Sequence, residues 1–156
     1  MRFTHIQEDA KGAFLLEPYF ATLRQDAPAM PPALAAFAQD PSRYAVGGGR
    51  TLRDAWLLAA NIGRSYGNKA SVVDSTLELR LLQVTHKAEL VLRYWGVTRV
   101  LMRLHPDYQP DSAIDLMAHE VTVCGKDTYR HAIRFDRGVY IDVRFRDFAF
   151  EEVARA

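Results

Sequence analysis

From Ser75 onward the chain alternates apolar and polar residues with a period of two, in segments whose turns bring the same kinds of residue opposite one another. Leu77, Leu79 and Leu81 are followed, after a turn at Thr85-His86, by Leu90, Leu92 and Tyr94. If Val84 faces Lys87, then Leu81 meets Leu90, Leu79 meets Leu92 and Leu77 meets Tyr94 on one side, while Glu78 meets Arg93 on the other. The same test works further on. A turn at Asp136-Arg137-Gly138, whose final Gly suits a left-handed position, sets Ile133 against Ile141, His131 against Val143 and Tyr129 against Phe145. A turn at Gly125-Lys126-Asp127 sets Val123 against Tyr129, Val121 against His131 and His119 against Ile133. A slip of one residue would send each apolar set to the opposite face, so the registers are strongly specified. They predict a meander over 114–150 with His119, Val121, Tyr129, His131, Ile133, Ile141, Val143 and Phe145 on a buried face. Glu120, Arg130, Arg134, Asp142, Arg144 and Arg146 fall on a wet one.

The first fifty residues have another texture. Residues 2–7 read as a short strand. A helix is predicted from Glu17-Pro18 to about Gln25, with Pro at a tolerated first position. A second runs from Pro31-Pro32 to about Gln39, where Pro41 stops it. Gly47-Gly48-Gly49 reads as a joint into the sheet. Residues 51–63 fit two patterns: a helix with Leu52, Trp56 and Ala59 on one stripe, or a strand in which Trp56, Leu58, Ala60 and Ile62 alternate. Ser65 to Asp74 reads as a polar loop, Gly96 as a bend, Val97 to Leu104 as a strand, His105 to Ala113 as a loop, and Val139 to Phe150 as the strand that closes the sheet.

A length of 156 residues with 49% hydrophobic and 25% charged positions suits one globular domain, 1–156, with a mixed helical portion over 1–50 and a sheet over 51–150. The net charge of +1 argues against nucleic-acid binding driven by bulk electrostatics. With Cys124 as the sole cysteine, no internal disulfide forms and a reducing, cytoplasmic setting is expected. The charged N-terminal residues and the lack of a long apolar run lead one to expect neither a secretory leader nor a membrane span. The cations are Arg far more often than Lys and Ala is abundant, as in GC-rich bacterial genomes.

His119 and His131 are the strongest lead to chemistry, because the registers make them diagonal neighbours on one face. A catalytic zinc wants a third protein ligand, and His5, His86 and His105 lie elsewhere, so histidines packed beneath the sheet are the plainer reading. His119-Glu120 lacks the second His four residues on that a zinc protease helix requires, with Val at 123. The triple glycine lacks the Gly-Lys-Ser/Thr that completes a phosphate loop. Cys124 points away from both histidines and reads as a half-buried structural thiol. Glu120 and Asp142 stand among arginines, which lower carboxylate pKa values and unsuit them as general acids. No catalytic residue, metal site or cofactor is expected. The arginine-rich face remains. Glu120, Arg130, Arg134, Tyr140, Arg144 and Arg146 combine guanidinium and aromatic groups, the makeup of an interface with an acidic partner, against the plain alternative of a solvated face. Tyr44, Trp56 and Trp95 are further aromatics with no predicted place.

Two segments carry a resemblance. Thr51-Leu-Arg-Asp-Ala-Trp-Leu-Leu58 and Leu92-Arg-Tyr-Trp-Gly-Val97 are similar to a strand and a later Arg-Tyr-x-Gly-Val strand of small bacterial proteins, with Arg53 where His is expected. His119-Glu120-Val121, His131, Ile133-Arg134-Phe135 and Phe145-Arg146-Asp147-Phe148 have the same look. Some of these proteins are grouped with the immunity proteins of bacterial toxin systems. Over residues 51–150 the resemblance implies a strand at 51–63 and a non-enzymatic binding protein, with no site residues carried across.

The expectation is an α+β fold: short N-terminal helices packed on a mostly antiparallel meander sheet of about six or seven strands. The leading functional expectation is a protein-binding module, with toxin neutralisation as its sharpest form. The alternatives are a small-ligand-binding or hydrolytic protein with a pocket near His119 and His131, and a homo-oligomeric structural protein, a homodimer included.

Overall fold

A computed structural model describes residues 3–66 and 72–156. Helix α1 (Glu17–Asp26) and helix α2 (Pro32–Gln39) each carry Pro in the first turn and stand within a residue of their predicted bounds. Ahead of them the predicted strand at 2–7 shrinks to β1 (Gln7–Glu8), paired with β2 (Phe14–Leu15), residue 2 lying outside the described residues. The rest of the chain is strand: β3 (Trp56–Tyr66), β4 (Val72–Leu82), β5 (Ala88–Trp95), β6 (Arg99–Arg103), β7 (Leu116–Gly125), β8 (Thr128–Phe135), β9 (Tyr140–Phe145) and β10 (Asp147–Ala154).

The pairings predicted along the strands of the three hairpins occur, from Leu81↔Leu90 to Tyr129↔Phe145, whereas Val84 does not pair with Lys87 and the β7–β8 ladder bulges between Val123 and Gly125. The eight residues assigned to the buried face of 114–150 are each at most 4% exposed. The turn after β4 is looser than expected: the ladder ends at Leu82↔Glu89, and the Gln83 and His86 amides donate to Ala88 and Gln83. The polar loop expected at Ser65–Asp74 is shorter, because β3 and β4 run into it from both sides. Its central residues, 67–71, lie outside those described.

The larger correction concerns how the strands assemble. In place of one meander there are two four-stranded antiparallel sheets, in the orders β10-β5-β4-β3 and β6-β9-β8-β7. The segment Val139–Phe150, expected as one strand, divides at Arg146: β9 belongs to one sheet and β10 to the other. Val97 and Gly96 do the same between β5 and β6. The Val97 amide still donates to Ser75, whereas the Thr98 amide already donates to Arg144 in the second sheet. The chain can turn there because Gly96 has φ +59°, and a Cβ on it would stand 2.9 Å from Cβ of Arg146. At the opposite corner the Asp54 amide donates to Leu116 and the Leu116 amide to Ala55, so the start of β3 meets the start of β7.

The ambiguous segment 51–63 is strand from Trp56 onward, while residues 51–55 are loop and turn. Leu57 faces Leu81, a bulge at Leu58 shifts the register, and Ala60 then faces Leu79. The two inward residues are thus three apart, a helical spacing produced by a β-bulge. Helix α2 lies between the sheets. The Phe37 ring is 5.0 Å from those of Phe148 and Phe150 on one side and 5.8 and 5.9 Å from His119 and His131 on the other. Helix α1 lies against the edge of β7 and buries Tyr19 and Leu23.

Candidate functional site

The two histidines meet inside the core, in a chain of hydrogen bonds whose direction can be assigned. The imidazole Nε2 of His119 is 3.1 Å from the carbonyl of Arg43, which only accepts, so Nε2 carries a proton and donates. Nδ1 of His119 must then accept from Nε2 of His131, at 3.1 Å. Nδ1 of His131 in turn accepts from the hydroxyl of Tyr94, at 2.7 Å. With both rings neutral each nitrogen has a partner. The electrostatics agree: burial pushes His119 down to about 4, and burial with the neighbouring His119 lowers His131 well below its usual value. Burial likewise raises the Tyr94 phenol far above its usual range. Tyr44, unplaced by the sequence, stacks on His119 with centroids 4.2 Å apart and donates from its hydroxyl to Ala38. The arrangement satisfies polar groups within a core and leaves neither imidazole with a free lone pair. Among the described residues no group of three His, Cys, Asp or Glu is placed to hold a metal ion.

A cleft of about 230 Å³ opens beside this network, between the residues around β2, the chain at Tyr44–Val46 and the start of β7. Phe14, Leu16, Tyr44, Val46 and Leu116 line it together with Arg53, whose guanidinium donates to the carbonyl of Met117. Arg53 occupies the position where the resemblance led to a His, and here it caps a β7 carbonyl.

The arginine face is divided by the N-terminal segment. Glu120, expected among exposed arginines, is fully buried. Its carboxylate accepts from the amides of Thr4, His5 and Ile6 at 2.7, 2.8 and 2.8 Å, which lays this segment across the outer side of β7. Ala118 and Thr122, on the same side, are buried with it. Arg130 is committed to Asp142, with Nε and a terminal nitrogen 2.9 and 2.7 Å from one carboxylate oxygen, and it also donates to Thr4. Arg134 pairs with Glu8 at 2.8 Å and lies over the Phe14 ring. Three of the six expected docking residues therefore hold the protein's own N-terminal segment. No signal in a strand's alternation marks which polar face a remote segment will cover.

The other half of this face stays open, and it gains residues that the sequence alone did not join to it. β6 pairs with β9 so that Arg99 stands opposite Arg144, Leu101 opposite Asp142 and Arg103 opposite Tyr140. Arg130 faces Arg144 from the other side, so Arg130, Arg144 and Arg99 form a row across three strands. Arg99, Arg103 and Arg144 are exposed, and Tyr140 is half-buried between them. Arg146 is exposed at the corner, against Gly96. Directly opposed like charges destabilise a sheet, and Asp142, on the same face, is already held by Arg130. Cys124 is exposed rather than half-buried, and its thiol lies above its usual value, desolvation outweighing Arg144 and Arg130. No helix among the described residues is long and apolar enough to cross a membrane. Comparison with known proteins finds no matching family model, curated protein or solved structure.

Proposed function

We propose that this protein is a non-enzymatic binding module that docks an acidic partner protein on the outer face of β6 and β9. The row Arg130–Arg144–Arg99 carries the reading, since arginines held in opposition with one carboxylate among them are relieved by an anionic partner. Tyr140, Leu101 and the arginine stems supply the apolar area that such contacts need. The chain's net charge of only +1 sets this patch apart as local and favours a protein over a nucleic acid. Neutralising an acidic toxin in the cytoplasm is the sharpest form of this function, in keeping with the exposed free thiol. The surface is ill suited to face-to-face pairing of two copies, which would set arginine against arginine.

The test is a pair of charge reversals, Arg99→Glu and Arg144→Glu, each measured for melting temperature and for binding to the product of an adjacent toxin-like gene. Binding should fall at least tenfold while stability holds, the loss of about one desolvated ion pair. Unchanged binding in both variants would exclude this face. A second reading has its own observation, the cleft at Arg53, which has the size and apolar walls for a small molecule with one anionic group. Saturation of Arg53 resonances by a small carboxylate, absent in Arg53→Gln, would favour it.

A further inference from the structure

Resting on the acidic-partner reading, we infer how the partner is held: it adds an extended acidic strand to the free edge of β6. A sheet edge presents a row of unpaired amides and carbonyls, and most proteins cover or disrupt it. Here the other edges are managed. Strand β10 packs against helix α2, through Phe148 and Phe150 on the Phe37 ring. On β7 the Val121 amide donates to the hydroxyl of Tyr19 and the Met117 carbonyl accepts from Arg53. The edge of β3 is broken by a bulge at Leu58 and by a second irregularity between Ser65 and Tyr66, and such kinks spoil strand addition.

β6 has none of these devices. Its register with β9 runs unbroken from Arg99 to Arg103, and among the described residues β9 is its sole strand partner. Four of its five residues are exposed. Leu101 and Met102 are each 39% exposed and Leu104, just beyond, 48%. An incoming strand therefore finds unpaired backbone groups and apolar side chains on both faces.

The side chains choose the occupant. Arg99 and Arg103 project from the outer face two positions either side of Leu101, with Arg144 one strand behind. A second copy of β6 added antiparallel about Leu101 would set Arg99 against Arg103, and like charges in that position repel. A strand with Asp or Glu at every second residue meets both arginines on the outer face and places its intervening apolar residues beside Met102. The arginines thus guard the edge against self-association and select an acidic segment.

The experiment uses the full chain and a capped peptide of alternating Val and Glu long enough to span β6, at low ionic strength. Its control is the same peptide N-methylated at alternate residues on the edge that would face β6, with charge and composition retained. Amide resonances of Arg99–Arg103 should shift on titration with the unmodified peptide. N-methylation should weaken binding roughly tenfold, as expected when one or two backbone hydrogen bonds are removed. Equal binding of the two peptides would overturn strand addition and leave acidic docking standing. Binding of neither would remove the docking reading together with this one. Tighter binding of an oligothymidylate of equal charge would overturn the peptide as occupant.

Discussion

At the scale of single residues, the buried polar groups decide how stability responds to pH and to small substitutions. His119 and His131 are neutral in the folded protein because burial holds their pKa values below the ordinary histidine value. The unfolded chain takes up these protons first, so stability is fully present above pH 6.5, the ordinary value, and falls as the pH drops towards the folded value of about 4 for His119. At one pKa unit to about 1.4 kcal/mol, that residue alone removes about 3 kcal/mol across the window. Urea midpoints at pH 7 and pH 4.5 measure the effect, and equal midpoints would contradict the neutral pair. Tyr94→Phe deletes the donor to Nδ1 of His131 and leaves a buried acceptor unmatched, at a cost of about 1–3 kcal/mol. Differential urea melts of the two proteins should show it as a lower midpoint with the slope unchanged. The diagonal placement of the two histidines was legible in the sequence. Their bond partners were not, since the Arg43 carbonyl reaches His119 from the helical N-terminal portion and the Tyr94 hydroxyl reaches His131 from β5 in the other sheet.

At the scale of elements, the corner at Gly96 and the anchor at Glu120 are the points where local sequence and remote structure meet. Gly96→Ala forces a side chain into a left-handed backbone and against Cβ of Arg146. The conformation alone costs about 1–2 kcal/mol, and the close contact adds to it. Thermal melting should register a loss of several degrees, whereas Gly48→Ala, with open space around it, pays the conformational part alone. Glu120→Gln replaces an acceptor of three amides with a group that carries its own N–H donors, so at least one amide of Thr4–Ile6 loses its partner. Hydrogen exchange at those amides should rise well before that of β8, and an unchanged rate would mean that the segment is held by other contacts. Helices α1 and α2 were legible because proline marks their starts. β3 was ambiguous because its bulge at Leu58 interrupts the alternation of Trp56, Leu58, Ala60 and Ile62 that would mark a strand.

At the scale of the whole molecule, two sheets share the long paths β5–β6 and β9–β10, close at one corner through β3 and β7, and receive helix α2 between them. This leaves one outer surface with opposed arginines and one open, regular edge. Arg144→Gln should change the melting point little, because relief of like-charge opposition offsets any lost contact and exposed charges are worth within about 1 kcal/mol. A large destabilisation would mean that Arg144 has a structural task the open face does not reveal. The sequence by itself determined the α+β class, the helix starts and the strand pairings of the β4–β5, β7–β8 and β8–β9 hairpins, because these depend on neighbours within one turn and on a period-two pattern that tolerates no slip. It also set His119 and His131 on the inner face. Only the tertiary structure decided that the strands divide into two sheets, that the N-terminal residues cover Glu120 and engage Arg130 and Arg134, and that Arg99 and Arg103 join Arg144. Each of these rests on contacts between segments far apart in the chain, and a strand's alternation distinguishes its two faces without recording which remote segment will lie against either one.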